Sequence, residues 1–501
     1  MLANKTDSCL KNISIFCFLA FPAALVIGPF AAEVLMNTMS VIFLVNIFNK
    51  KNFSFCKENF FIIFILFYFY ILLNSFFSVY ADNIFYKNIF YFRYVLFVYA
   101  ISELLLNNKN LTLIFYKILL LTLFLVSIDG YVQYFFGSDL FGYTQIRPDR
   151  VSGPFGDKLV LGSYISRLFP LLVGLFFYNL KLLKFREVFI SAVVIIFSLI
   201  MTVISGERVP FATIVIFCAV ALLLIDFKKI IKVIIFFVIT AVISIVFIAN
   251  PNVFERHYNQ TVNQVDFQFK KKNFFSNFYY YAETYNTAFA GFLDKKIIGQ
   301  GPKSFRFFCS DPKFSHYQKR EINVSLKDLG LEKVLIDKVF IKNNDSIKKG
   351  DILFSYLIDN KSQNYIATED LVVINTNIKS TKSISETVNM SDYFIYYKQY
   401  INGCTTHPHN FYLQLLSETG IVGFSLIFFI FLYFLYLIAK YFYFFAVKKR
   451  RILSNLQINL VLGFLITLLP LIPNGNFFNN WLNMIMFFPI GFYIFSLNKD
   501  K

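Results

Sequence analysis

The chain has 501 residues, 57% of them hydrophobic, with a mean hydropathy of +0.58. Its repeated apolar runs of about 20 residues exclude an ordinary soluble protein and predict a polytopic membrane protein. A net charge of +18 would suit a nucleic-acid binder, but the positive residues collect in alternate loops, which the positive-inside rule explains without nucleic acid.

In chain order, the apolar pattern predicts an all-α polytopic fold of about 12 transmembrane helices. They fall roughly at 13–30, 32–48, 59–77, 88–106, 111–133, 159–178, 188–204, 207–225, 230–249, 410–439, 455–472 and 480–496. Residues 1–249 form an N-terminal membrane bundle, 250–409 a large loop, and 410–501 the C-terminal helices. The first two runs are separated only by Gly28-Pro29. No small-residue cleavage site follows the first run, so it reads as a retained helix rather than a signal peptide. The 410–439 run is longer than a bilayer needs and should tilt or begin above the membrane. With 68 Phe and 31 Tyr in the chain, the aromatics read as lipid-facing filler, and no single ring is assigned a binding role.

Lys50, Lys51 and Lys57; Lys181, Lys184 and Arg186; Lys228, Lys229 and Lys232; and Lys448 to Arg451 all fall on one side of this topology. The positive-inside rule makes that side the cytoplasm, with both termini there. The 134–158 loop, Ser205-Gly206-Glu207-Arg208, the 250–409 loop and Pro473–Asn480 then lie outside, where no ATP is available. Gly299-Gln300-Gly301-Pro302-Lys303-Ser304 resembles a phosphate loop only faintly. Pro302 separates its Gly from its Lys, and no strand–helix unit surrounds it.

Within the long loop, 254–298 reads as amphipathic helix lying on the membrane surface or over a cavity. Residues 320–398 change character, with strand-like runs at Val334–Lys342, Ile352–Ile358, Asn364–Ala367 and Leu371–Asn375. The Ile336–Leu353 stretch resembles the barrel-sandwich fold of biotinyl/lipoyl-like domains. The matching hairpin tip, Thr368-Glu369-Asp370, lacks the Lys that takes the cofactor in carrier versions. The insert is therefore expected to carry no prosthetic group and to act as an accessory module, with another envelope protein as its candidate partner.

Cys9, Cys17, Cys56 and Cys218 fall in membrane or cytoplasmic regions and read as inert thiols. Cys309 and Cys404 flank the insert in the outer loop, where an oxidising compartment allows a disulfide. Such a bridge would close the base of the insert and brace Cys404, three residues before His407.

Arg93 and Arg167 fall within predicted spans, where an arginine is costly and usually paired or functional. Arg147, Arg150, Arg208 and Arg306 lie at the outer face. Converging arginines suit a pyrophosphate, because guanidinium forks match phosphate oxygens. The competing reading pairs Arg208 with Glu207 or another acid. The chain has only four histidines, His257, His316, His407 and His409. His407-Pro408-His409 could bind metal, but no nearby Cys/His/Asp set completes a site. It could also be structural. Next to Asn410, a candidate helix cap, a neutral His is favoured by the helix N-terminal dipole and suits a general base.

His409-Asn410-Phe411-Tyr412-Leu413…Glu418-Thr419-Gly420-Ile421-Val422-Gly423 resembles the signature of the O-antigen ligase/O-antigen polymerase superfamily of membrane glycosyltransferases. Arg150-Val151-Ser152-Gly153-Pro154-Phe155, Ser205-Gly206-Glu207-Arg208, Ile298-Gly299-Gln300-Gly301-Pro302…Phe305-Arg306…Cys309 and Pro473-Asn474-Gly475-Asn476-Phe477-Phe478-Asn479-Asn480-Trp481 agree with it in order. The resemblance covers most of the chain apart from the insert. It implies a GT-C-like fold in a bacterial inner membrane. It implies glycan transfer from undecaprenyl diphosphate to an acceptor hydroxyl on the periplasmic side, inverting, without ATP, metal or other cofactor. The acceptor would be lipid A core for a ligase, or a second carrier-linked glycan for a polymerase. His409 would be the base and Arg208 the second catalytic residue. Arg208, with Arg150 or Arg306, would hold the diphosphate, either Arg147 or Arg150 being the arginine the resemblance points to, and His407 and Asn410 would assist. The alternative from another class is a polysaccharide or glycolipid transporter without transferase activity.

Overall fold

The computed structural model describes residues 2–108, 110–265, 274–278, 281–311, 313–314, 316–323, 335–340, 346–347, 350–358, 361–366, 371–376, 394–470 and 472–499. Statements of absence below refer to these residues. The chain divides into two compact units. One holds Met1–Phe308 and Thr405–Lys501, and the other holds Cys309–Cys404.

The first unit is helical. Its elements are α1 (Leu2–Ile27), α2 (Pro29–Lys50), α3 (Asn59–Phe76), α4 (Ala81–Ile89), α5 (Arg93–Leu106), α6 (Leu111–Phe136), α7 (Leu161–Asn179), α8 (Phe185–Ile204), α9 (Arg208–Leu224) and α10 (Lys229–Ala249). Three short helices follow, α11 (Pro251–His257), α12 (Asn259–Gln264) and α13 (Ala282–Asp294), then the single turn α14 (Phe305–Phe308). The unit closes with α15 (Phe411–Ala446), α16 (Asn455–Thr467) and α17 (Asn480–Lys499). Ten of the described helices are long and apolar enough to cross a membrane, the architecture of a multi-pass membrane protein. The two further predicted spans appear as the shorter apolar helices α9 and α16.

Gly28 separates α1 from α2 with φ 148°, and Pro29 opens α2 at the position where its missing N–H costs nothing. Phe18, Phe21, Phe97, Phe115, Phe488 and Phe492 are buried together. Phe18 and Phe115 lie 4.6 Å apart, and Phe21 and Phe488 4.7 Å. Part of the phenylalanine bias therefore builds the interior of the bundle rather than its lipid face. In a bilayer, packing of this kind has to hold helices together, because lipid tails are as apolar as the side chains.

Arg93 is not left alone in its span. It pairs with Glu33 of α2 at 3.0 Å. The lysine-rich ends carry further pairs, Lys50 with Glu103 at 3.2 Å, Lys117 with Glu187 at 2.7 Å, and Arg451 with Asp226.

The expected amphipathic helix over 254–298 is broken. α11 and α12 part at Tyr258, and Val265 turns extended to bridge Phe278. Residues 251–308 belong to the helical unit rather than to a separate loop domain running from 250 to 409.

The second unit is built of strands. They are β1 (His316–Asn323), β2 (Leu335–Val339), β3 (Ser346–Ile347), β4 (Ile352–Ile358), β5 (Lys361–Ile366), β6 (Leu371–Thr376) and β7 (Phe394–Asn402). They form a four-stranded sheet, β1-β7-β6-β3, and a three-stranded sheet, β2-β4-β5. The expected bounds of 320–398 are too narrow. β1 pairs antiparallel with β7 from His316↔Asn402 to Asn323↔Ile395. Its sequence, HYQKREIN, lacks the apolar alternation that marks a half-buried strand. Cys309 and Cys404 form a disulfide with Cα atoms 4.9 Å apart, so the unit begins and ends on one covalent bond. The Thr368-Glu369-Asp370 tip lies outside the described residues.

Candidate functional site

The site develops at one end of the helical unit, where α15 begins. Asn410 caps that helix, its Oδ1 accepting the N–H groups of Tyr412 and Leu413 at 3.0 Å each. The residue before it, His409, has φ 55°, an unusual left-handed conformation for a residue other than glycine. That conformation turns its ring toward His407, with ring centres 4.2 Å apart, and toward Tyr281, at 5.3 Å. Thr406 Oγ1 lies 2.9 Å from His407 Nδ1, while the buried His407 Nε2 has no partner. Burial holds both imidazoles below their ordinary value. His407 falls to about 4, with the neighbouring His409 and Arg306 adding to the effect. At neutral pH this is a pair of uncharged imidazoles, the state a general base requires.

Below the cap, α15 bends. Gly420 adopts φ 61° and ψ −168°, which breaks the helical path. The opened backbone is taken up by the segment before α14. Gln300 and Gly301 donate to the carbonyls of Ser417 and Glu418 at 2.9 and 2.8 Å, and Ile421 donates to Lys296 at 2.9 Å. A Cβ on Gly420 would lie 2.2 Å from the Ile297 carbonyl oxygen, so the approach requires glycine there. The buried Glu418 carboxylate locks the junction. It accepts the N–H groups of Lys303 at 3.0 Å and Phe305 at 2.9 Å, and the Gln414 amide at 3.0 Å. Gly299–Ser304 therefore cannot act as a phosphate cradle, because the N–H groups of Gln300, Gly301 and Lys303 are already spent on α15. The turn instead carries Lys303 and the exposed Arg306 to the site. Burial and the charges of Arg93, Lys87 and Arg306 lower Lys303 to about 8, against the pull of Glu418.

A second group of charges surrounds Glu207. Its buried carboxylate sits at the start of α7, accepting the Gly162 N–H at 2.7 Å, the Ser163 N–H at 3.2 Å and the Ser163 hydroxyl at 2.7 Å. Burial raises Glu207, while the Ser163 hydroxyl and the nearby Arg150 and Arg167 oppose the rise. Arg150 donates to the Leu159 carbonyl at 3.3 Å, and its buried Nε has no partner. Arg147 and Arg150 face one another across an isolated antiparallel bridge. Gln133 of α6 anchors this loop by accepting the N–H groups of Ser152 and Gly153, both at 2.8 Å. Arg256 adds a cation, reaching Asp149 at 3.5 Å and the Gly206 carbonyl at 3.3 Å. Arg208 opens α9, half-buried, and its charge together with Arg256 helps hold the buried His257 at about 4. His257 itself is bonded to the Val203 carbonyl at 2.8 Å and packs on Phe211, which is a structural role.

Asn474 joins the two groups. Its N–H donates to the His409 carbonyl at 2.7 Å, and its side-chain oxygen receives Arg167 Nη2 at 3.5 Å. Asn476 and Phe477, in the same loop, bond to Gln414, the neighbour of Glu418.

The structure thus brings His407, His409 and Asn410 together at one helix end, with the charge of Arg306 acting on His407. It gathers Arg147 and Arg150 near Glu207, while the charge of Arg208 acts on His257. The sequence reading assigned no role to Arg256, Gln133, Glu418 or Asn474, and placed Arg167 only as a charge in a span. Arg256 carried one usable signal, its place just past the end of α10. Among the described residues, no group of three His, Cys, Asp or Glu side chains could hold a metal ion.

Neither protein-family models nor curated proteins match this chain.

Proposed function

We propose that this chain is a membrane glycosyltransferase of the O-antigen ligase or polymerase kind. It would move a glycan from undecaprenyl diphosphate to an acceptor hydroxyl on the periplasmic face of a bacterial inner membrane. The observation that carries the reading is the link from His409 through Asn474 to Arg167. It ties a neutral imidazole to a group of arginines at the end of the bundle opposite the lysine-rich loops.

In this reading His409 takes the proton of the acceptor hydroxyl. The acceptor oxygen forms its bond to the anomeric carbon from the face opposite the diphosphate, and the configuration inverts. The carbon–oxygen bond to the carrier breaks, and its electron pair leaves on the diphosphate. Arginine charge stabilises that leaving group as it develops. The phosphate linkage supplies the driving force, so no nucleotide is needed.

The test is His409→Ala in the native host. Glycan display should be abolished while the protein remains in the membrane at wild-type level. Near-normal display in that strain would overturn the proposal. In a deletion strain, a single repeat left on the acceptor would identify a missing polymerase, and a full polymer left on its carrier a missing ligase.

A further inference from the structure

Four rings form a row where α15 begins. Ring centres of His407 and His409 lie 4.2 Å apart, those of His409 and Tyr281 5.3 Å, and those of Tyr281 and Tyr285 5.7 Å. The two tyrosines are nearly parallel, at 16°, and Tyr281 is tilted 39° from the His409 imidazole. Tyr281 is the cap residue before α13, and Tyr285 follows it by one turn, so the helix itself brings the two rings together. Tyr285 is 2% exposed, and Phe275 and Phe278 meet it edge-on, each with its ring centre 6.0 Å away. Tyr281 is only half-buried. The buried ring thus fixes the outer one beside the imidazole.

Packing alone does not account for this row. Each of its end rings carries a buried hydrogen-bonding atom with no partner among the described residues, His407 Nε2 and the Tyr285 hydroxyl. Buried polar atoms are normally paired, so two orphans in one row point to a polar partner that the chain does not supply. Aromatic faces with a few placed hydrogen-bonding atoms are the usual lining of a small-molecule site. The face of an aromatic ring is negative, and one face of a sugar ring presents weakly positive C–H groups, so the two stack while the sugar hydroxyls bond to polar atoms around them. The rival role for Tyr281 is an anchor at the membrane interface, which suits its neighbours Phe274 and Phe289, 46% and 36% exposed. An anchor would use the rings but not the two polar atoms.

We propose that Tyr281 is the stacking platform for the acceptor sugar, holding one C–H face of the pyranose whose hydroxyl meets His409. The proposal rests on the glycan-transfer reading above, in which His409 takes the proton of that hydroxyl. The hydroxyl then lies about 2.6–3.2 Å from an imidazole nitrogen. A pyranose is wide enough to reach from there to a ring centred 5.3 Å from the imidazole. Tyr281 therefore selects an acceptor sugar with an unobstructed C–H face and sets which hydroxyl is presented.

Saturation-transfer NMR of the full-length protein in detergent tests this without turnover. The probe is the oligosaccharide that mild acid releases from the host's own surface glycolipid. Tyr281→Phe keeps the ring, and Tyr281→Leu keeps apolar bulk without it. The unaltered protein and Tyr281→Phe should bind the oligosaccharide and saturate the C–H protons of one face of its terminal sugar. Tyr281→Leu should weaken that binding roughly fivefold or more and lose the one-sided pattern. In a transfer assay Tyr281→Leu should raise the KM for the acceptor by a similar factor and leave the KM for the lipid diphosphate and the pH profile unchanged. A ring that merely props His409 would instead lower kcat and move the pH profile, which would overturn the proposal. No oligosaccharide binding by the unaltered protein, or equal binding by well-folded Tyr281→Leu, would overturn it as well. One-sided binding that Tyr281→Leu loses, in a protein that shows no transfer, would support the sugar platform and remove the transfer reading alone. Transfer with an unchanged acceptor KM in Tyr281→Leu would remove the platform alone.

Discussion

Replacing Glu418 by Gln probes the junction that carries Arg306 to the histidines. The carboxylate offers acceptors only, and three donors use them: the N–H groups of Lys303 and Phe305 and the amide of Gln414. A Gln side chain must turn an NH₂ group toward at least one of them. One charge-assisted bond is then lost and one buried N–H faces another donor. A hydrogen bond to a charged group contributes about 1.5–3 kcal/mol, and an orphaned buried donor costs about 1–3 kcal/mol. The removed charge also no longer needs desolvation, so a net loss of about 2–4 kcal/mol is expected. The assay is heating of the detergent-solubilised protein followed by size-exclusion chromatography, beside transfer activity at a temperature where the variant stays folded. Glu418→Gln should melt earlier and lose most transfer, because the Gly299–Arg306 turn is no longer fixed to α15. Wild-type melting and wild-type transfer in this variant would refute the reasoning.

Other outcomes follow from the same structure. Gly420→Ala places a Cβ against the Ile297 carbonyl oxygen at φ 61°, whereas Gly142→Ala at φ 88° meets nothing within 4 Å. The first should cost about 2–5 kcal/mol and the second about 1 kcal/mol, read as a difference in melting temperature. The disulfide spans 95 residues. Cys309→Ser should therefore lose up to about 4–5 kcal/mol from the β unit and raise its protease sensitivity. Burial keeps His407 and His409 below the ordinary value of 6.5. The unfolded chain then takes up these protons first, so their contribution to stability is present above pH 6.5 and lost as pH falls below it, for His407 toward about 4. Transfer should accordingly keep its rate down to pH 6.5 and decline only below it. An acid midpoint at or above 7 in a pH–rate profile would contradict this. Asn474→Asp sets a carboxylate beside Arg167 and should reduce transfer by competing with phosphate, read as a raised KM for the lipid substrate.

The sequence made the membrane helices legible because apolar length is a one-dimensional property. The cap at Asn410 and the break at Gly28-Pro29 were equally local. What escaped depended on contacts between distant segments. β1 and β7 stabilise each other across more than seventy residues without an alternating pattern in β1. Glycine and glutamate in Glu418-Thr419-Gly420 stood out as a motif, yet their task is visible only once residues 296–305 dock there. Arg256 fell in a stretch read as one amphipathic helix, and the turn that aims it at Asp149 is tertiary. Arg167 looked like a costly charge in a span until Asn474, from the Pro473–Asn480 loop, reached it.

The central claim is transfer from a lipid diphosphate by this chain's own residues. The direct measurement is turnover of an undecaprenyl diphosphate-linked glycan by the purified, reconstituted protein with no nucleotide or metal added. The account predicts a glycosylated acceptor and released undecaprenyl diphosphate with the unaltered protein, and neither with His409→Ala. Absence of turnover with folded, lipid-loaded protein and a matched acceptor, or equal turnover by His409→Ala, would contradict it.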